Sequence, residues 1–341
     1  MASSRLALAL SGADALPAEG RVLAVGARAG LADLPKVRTV VVQGFRPDHD
    51  ALAAEGWAVV PDLAGATGDF AAAVVFLPRS RAAAHDAVAE VAARVRPGGP
   101  VWVDGQKTDG IDAMLKDLRA RTAVSAPLAK AHGKIFRFAA GADLAGWRAA
   151  DLHPAPGFVT RPGVFSAEKV DPGSALLAAA LPARLPALVA DLGAGWGWLG
   201  AQVLGRSGVG ELHLVEADHA SLACARRNVT DPRVRFHWAD AIRFRPEAPF
   251  DAVVMNPPFH SGRAADPSLG AAFIAAAAAM LAPAGRLWMV ANRHLPYEPV
   301  LAQHFREVTA IGGDGAFKLF LAARPVARPL PAVRTAPRPR G

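Results

Sequence analysis

The sequence predicts an α/β protein made of two tandem doubly wound domains, and three observations carry that expectation. Short β-branched runs alternate with stretches of helical periodicity, as parallel strands joined by crossover helices do. The plan occurs twice: at residues 95–103 and again at 280–289 a helix ends in a Pro/Gly turn and a strand follows. The length, 341 residues, also exceeds the roughly 100–200 expected of one domain.

In the first half, residues 21–26 (RVLAVG), 39–43 (TVVVQ), 72–77 (AAVVFL) and 100–104 (PVWVD) read as buried strands. Residues 81–95 place apolar side chains at helical spacing and are stopped by Pro97, Gly98 and Gly99. In the second half, 187–191, 211–216, 234–238, 250–255 and 286–291 are the expected strands. Residues 174–181, 199–204, 220–228 and 269–281 are the expected helices. Between the halves, residues 151–163 (DLHPAPGFVTRPG) hold three prolines and two glycines and read as a linker. The expected domains are therefore 1–150 and 164–323, followed by a basic Pro/Arg-rich tail, 324–341, expected to be disordered.

Hydrophobic residues make up 52% of the chain and charged residues 20%, which excludes a disordered protein. The single cysteine, Cys224, excludes a disulfide framework and a cysteine-based zinc site, and no metal is expected. The longest apolar run, 271–284, is shorter than the roughly 20 residues a bilayer needs. The apolar patch at 6–10 is too short for a signal-peptide core. A soluble, cytoplasmic protein with no membrane partner is expected. The net charge of +8 is unevenly placed. Residues 1–150 carry 18 basic and 15 acidic side chains, 151–323 carry 15 of each, and 324–341 carry five arginines and no acid. A basic tail on a neutral body suits an anionic partner such as RNA.

The strongest local signal is a strand ending in Asp191 and turning through Gly193, Gly195 and Gly197 (VADLGAGWG). Glycines there allow positive φ and close approach of a ligand. Their spacing differs from the Gly-x-Gly-x-x-Gly of dinucleotide-binding turns. Glu216 ends the next strand, where an acid can accept two ribose hydroxyls. Asp240 follows the strand 234–238, in a place to meet the exocyclic amine of an adenine. Asn256, Pro257, Pro258 and Phe259 follow the strand 250–255. Two prolines hold the chain extended and offer no donors, so the Asn256 side-chain carbonyl and the Pro257 backbone carbonyl can face one amine. An amine on a base is a poor nucleophile, because its lone pair is delocalised into the ring. Two acceptors on its hydrogens favour a pyramidal nitrogen. Phe259 offers a face for a flipped-out base. Trp196 and Trp198 read as packing around the glycine turn, and Cys224 as inert core.

From Asp191 to Phe259 the chain resembles the class I S-adenosylmethionine-dependent methyltransferases that methylate amines. Residues 164–166 (VFS), 171–174 (DPGS), 256–262 (NPPFHSG), 290–297 (VANRHLPY) and 317–319 (FKL) resemble the ribosomal RNA guanine-N2 methyltransferases of the RsmC/RlmG type. The resemblance covers 160–323 well and 1–150 loosely, through 77–80 (LPRS) and 105–111 (GQKTDGI). It implies two Rossmann-like methyltransferase domains, the N-terminal one degenerate and either RNA-binding or supporting. It implies S-adenosyl-L-methionine as cofactor and ribosomal RNA, preferably of the 16S type, or a ribosomal subunit as partner. Gly193, Gly195 and Gly197 would seat the methionine part. Asp191 would contact its amino group or brace the turn, Glu216 would hold the ribose and Asp240 the adenine, with Asn256 beside them. Asn256, Pro257, Pro258 and Phe259 would position the base, and His260, Lys318 and Asp171 are the further substrate candidates. The transfer needs no metal, no covalent enzyme intermediate and no strong base.

The first half matches the degenerate role. Its turn, 26–30 (GARAG), lacks a preceding acid and alternating glycines, and Leu77, Pro78, Arg79 and Ser80 stand where the Asn-Pro-Pro-Phe set is expected. Arg79 and Arg81 would place positive charge there. A duplicated chain can satisfy its interfaces internally, so a monomer is expected. The same motif also serves methylation of adenine N6 or of protein glutamine amides. Small-molecule methylation and a non-catalytic RNA-binding assembly factor are the remaining alternatives.

Overall fold

A computed structural model describes residues 5–12, 15–258 and 267–326. The first seven strands are β1 (Arg21–Val25), β2 (Thr39–Val42), β3 (Ala58–Val60), β4 (Phe70–Phe76), β5 (Pro100–Gln106), β6 (Leu128–Lys130) and β7 (Gly133–Ala139). They form one sheet in the order β3-β2-β1-β4-β5-β7-β6. The next seven are β8 (Leu188–Leu192), β9 (Glu211–Glu216), β10 (Val234–Trp238), β11 (Phe250–Met255), β12 (Leu281–Asn292), β13 (Phe305–Gly313) and β14 (Phe317–Pro325). Their order, β10-β9-β8-β11-β12-β14-β13, repeats the first. In each sheet the seventh strand runs antiparallel to both neighbours and the other pairings are parallel. The chain order reverses beside β1 in the first sheet and beside β8 in the second. A ligand crevice lies at such a switch point, at the carboxyl ends of the strands.

The expected two-domain α/β architecture is present. Strands β9, β10 and β11 fall on the expected bounds, while β12 starts earlier, at Leu281, and runs through the Pro/Gly turn, with an irregularity in its pairing to β11. Both faces of each sheet are covered. Val253 and Val254, adjacent and fully buried, belong to different apolar clusters on opposite faces. Burial of such a side chain contributes about 1.5–3 kcal/mol. β14 runs through Arg324, which pairs with Glu307 at 3.1 Å. Residues 324 and 325 therefore belong to the sheet rather than to the tail. Residues 327–341 lie outside the described residues.

Strand register aligns the two halves residue by residue. Val25 pairs with Val42 and Val75, and Leu192 pairs with Val215 and Met255. Gln43 consequently stands where Glu216 stands, and Ala24 where Asp191 stands. Phe76, not Leu77, takes the place of Asn256, which corrects the sequence alignment of the two motifs by one residue. Arg79 lies 3.9 Å from Asp109 and Arg81 2.8 Å from Asp117, so both cations have acidic neighbours.

The halves meet through the same turn of each copy. Phe45 and Asp218 form an antiparallel bridge. The Arg46 N–H donates to Ala217 O at 2.8 Å, and the His219 N–H donates to Gly44 O at 2.9 Å. In the aligned register these two bonds are equivalent, so the contact has local two-fold symmetry like that of an isologous dimer. Segment 151–163 is also pinned. Arg161 pairs with Asp86 of the first half, and Arg227 of the second half pairs with Asp151.

Candidate active site

The glycine turn follows β8. Gly193, Gly195 and Gly197 all have positive φ, at 76°, 56° and 87°. A Cβ at Gly195 would meet nothing within 4 Å, so the turn presents an open backbone face at that residue. At Gly197 it would lie 3.0 Å from Val229 and 3.2 Å from Ala225, so glycine there serves close packing. Trp196 is buried, donates its indole N–H to Phe165 O at 3.1 Å and packs with Phe158, Val164 and Cys224 beneath the turn. Trp196 and Cys224 thus occupy the packing positions expected of them.

Two carboxyls flank the turn. Asp191 is 1% exposed, and among the described residues neither of its oxygens has a hydrogen-bond partner. Burial, and then the Glu216 carboxylate nearby, push its pKa up to about 8. The Gly200 N–H pulls the other way without reaching hydrogen-bond geometry. Glu216 spans two loops: Oε2 accepts from the Gly195 N–H and Oε1 from the Asp218 N–H, both at 2.8 Å. Burial raises its pKa to about 7 against those two donors. In the first half Gln43 makes the matching pair of bonds with one polarity reversed. Its Oε1 accepts from Phe45 N–H at 2.8 Å, and its Nε2 donates to Ala27 O at 2.6 Å. An amide has closed onto the loop where the second half keeps an acid. Asp240 begins a turn after β10, its Oδ1 accepting from the Ile242 N–H at 2.9 Å.

The end of β11 carries the sharpest geometry. The Asn256 Nδ2 donates to Asp171 Oδ2 at 2.7 Å and to Ser174 Oγ at 2.9 Å. Since an ionised carboxylate can only accept, the amide nitrogen must face Asp171. The Asn256 Oδ1 is then turned the other way, buried and without a partner among the described residues. The same Asp171 oxygen accepts from the Ser174 N–H at 2.8 Å and so caps the helix Pro172–Ala180. Gly173 leaves room for this cap, because a Cβ there would sit 3.1 Å from Asp171 Oδ2 and 3.0 Å from the Phe317 ring. Pro257 is buried and Pro258 exposed. Phe259 and His260 lie outside the described residues.

The structure thus brings Asn256 and Asp171 together, with Ser174 as a third member that the sequence reading did not single out. Its signal was present: Asp-Pro-Gly-Ser is an N-cap, a proline in the first turn and a hydroxyl three residues on. Lys318 is placed otherwise. Its Nζ pairs with Glu298 at 2.5 Å. In register, Lys318 opposite Ala291 corresponds to Lys134 opposite Gly105, and Lys134 pairs likewise with Asp112. A strand-to-helix tie kept in both halves does not need a substrate to explain it. Among the described residues no helix is long and apolar enough to cross a membrane, and no group of three or more His, Cys, Asp or Glu is arranged to hold a metal.

A family model described as "Methyltransferase small domain" matches residues 156–321. The chain is 34% identical to the ribosomal RNA small subunit methyltransferase C of Pseudomonas paraeruginosa over 277 residues, covering 77% of this chain and 82% of that protein. It is also 34% identical to the ribosomal RNA large subunit methyltransferase G of Alcanivorax borkumensis, over 46% of this chain and 41% of that one. Among solved structures, the T. thermophilus 16S rRNA N2 G1207 methyltransferase RsmC, in complex with AdoMet and guanosine, matches with a TM-score of 0.78. That match has 26% identity and covers 95% of this chain and 92% of that one.

Proposed function

The chain belongs to the ribosomal RNA small subunit methyltransferase C family and is an S-adenosylmethionine-dependent methyltransferase; from that premise we propose that it methylates the exocyclic N2 amine of a guanine in small-subunit ribosomal RNA. The Pseudomonas paraeruginosa relative, named for small-subunit RNA, spans most of both chains, and the similar structure was determined with guanosine. We further propose that 1–150 is a supporting, non-catalytic domain, that 164–323 is catalytic with 151–163 joining them, and that the protein acts as a monomer.

The site fits the cofactor on two observations. A buried carboxyl without a partner, Asp191, lies beneath a glycine turn whose backbone is open at Gly195. When bound, S-adenosylmethionine supplies a methyl group activated on a sulfonium. Gly193, Gly195 and Gly197 would let the turn approach its methionine part, with Asp191 compensating positive charge there. Glu216 would accept the ribose hydroxyls and Asp240 the adenine amine.

The observation that carries the reading is the orientation of Asn256. Asp171 and Ser174 hold its amide hydrogens and leave the carbonyl oxygen to accept from the substrate amine. The Pro257 carbonyl would take the amine's second hydrogen, Pro258 keeps the segment free of competing donors, and Phe259 would stack on the base with His260 beside it. In this assignment Asp171 orients Asn256, and Lys318 anchors β14 to the helix Glu298–His304. Holding reactants in the reacting geometry can supply roughly 7–11 kcal/mol at best, and alignment is what this site is built to give. The test is methyl transfer from labelled cofactor to small subunits that lack their own methylation, read by nucleoside analysis. N2-methylguanosine is expected. Label in N6-methyladenosine or in protein would overturn the substrate assignment.

A further inference from the structure

The turn that carries the candidate ribose acid is held from the other half of the chain. Glu216 and Asp218 close it from within, through the Asp218 N–H. From outside, Ala217 O accepts from the Arg46 N–H and from the Trp238 indole N–H, the latter at 2.9 Å. The same indole N–H reaches Gly44 O at 3.0 Å, so one donor joins both halves. The Arg46 guanidinium lies over the Trp238 ring, 4.8 Å from its centre, and donates to Trp238 O at 3.1 Å. His49 and His219 both meet that ring edge-on. Gln43, which occupies the acid's place in the first half, is locked onto its own loop and holds Phe45 for the bridge to Asp218.

We propose that Arg46 and Trp238 are positioning residues for the cofactor site: the N-terminal half sets the turn 216–219 in advance, so that Glu216 meets the ribose already placed. The half without its own acid keeps a function, as a brace on the acid of the other half. Such a brace acts on cofactor affinity, because it removes an ordering cost from binding, and not on the methyl-transfer step. The proposal rests on the reading that Glu216 holds the ribose.

The test is calorimetric titration of the full chain with S-adenosylmethionine, alongside steady-state kinetics. Trp238→Phe keeps the ring and removes the shared donor. Arg46→Gln removes the guanidinium over the ring. Both are expected to raise Kd and KM for the cofactor about tenfold, with kcat at saturating cofactor within twofold and KM for RNA unchanged. Arg161→Gln, which breaks the separate Arg161–Asp86 tie between the joining segment and the first half, is expected to leave cofactor Kd unchanged. Amide exchange at His219 in cofactor-free protein should be faster in Trp238→Phe, a readout that does not depend on Arg46→Gln folding. Wild-type Kd in both seam variants, or an equal rise in Arg161→Gln, would overturn the brace. An unchanged Kd in Glu216→Gln would instead overturn the ribose assignment beneath it.

Discussion

Asp171 and Ser174 hold the Asn256 amide nitrogen and leave its oxygen turned away; under the proposed function that oxygen meets the substrate, which makes Asp171→Asn an informative change. An amide at 171 can donate as well as accept, so Asn256 is free to turn over. We expect kcat to fall at least tenfold, with cofactor Kd unchanged by calorimetry. Asn256→Ala, which removes the acceptor, should cost about 10²–10³ in kcat, comparable to deleting one hydrogen-bonding group that acts on the reacting centre. The buried carboxyls give a pH signature. Asp191 takes up a proton on folding, because its pKa rises from the usual carboxylate range to about 8. The stability this group contributes is therefore full only below about pH 4, falls as pH rises from there, and is gone above about 8. In cofactor-free protein Asp191→Asn should exceed wild type in melting temperature by a margin that widens from about pH 5 to about pH 8 and then stays level, while binding the cofactor more weakly throughout. The letters of this site were legible in the sequence, because Asp191, the glycines, Glu216 and Asn256 are local motifs at strand ends. The role of Asp171 was not, because Asp171 and Asn256 are 85 positions apart and only the folded chain brings them together.

At the scale of elements, the glycine turn separates two kinds of requirement. Gly195→Ala forces a side chain to positive φ with open space around it, costing about 1–2 kcal/mol. Gly197→Ala adds contacts with Val229 and Ala225 to the same backbone cost. Thermal melts without cofactor should rank Gly197→Ala below Gly195→Ala. Cofactor titration should show the larger loss of affinity in Gly195→Ala, whose new methyl occupies the open face. Strands β9, β10 and β11 were legible to the residue as β-branched or alternating runs bounded by polar turns. The hairpins β6–β7 and β13–β14 were not. β6 has three residues, and β13 (FREVTAIGG) is mostly exposed, so neither shows the buried pattern of a central strand. The three-residue edge strand β3 escaped for the same reason.

Over the whole molecule, the sequence showed that the plan is duplicated but not how the copies meet. The turns at the seam, Gly44 to Arg46 and Ala217 to His219, bond mostly through backbone groups, which side-chain patterns do not advertise. The one-residue offset between Phe76 and Leu77 likewise needed strand register, since a proline in each motif invites the wrong alignment. The basic tail gives a prediction at this scale. β14 extends to Pro325, so a clean truncation removes residues 327–341 and spares the sheet. Without that segment and its four arginines, RNA affinity should fall at low salt, the salt dependence should become shallower, and cofactor affinity should stay unchanged. Equal RNA affinity with and without the tail would remove it from substrate binding.

The measurement that bears most directly on the account is transfer of labelled methyl to undermethylated small ribosomal subunits by the wild-type chain and by Asn256→Ala, with the product identified as a nucleoside. Label is expected in N2-methylguanosine, lost about 10²–10³-fold in Asn256→Ala while calorimetry shows the variant still binding the cofactor. Full transfer by Asn256→Ala, or label in any other nucleoside, would contradict it.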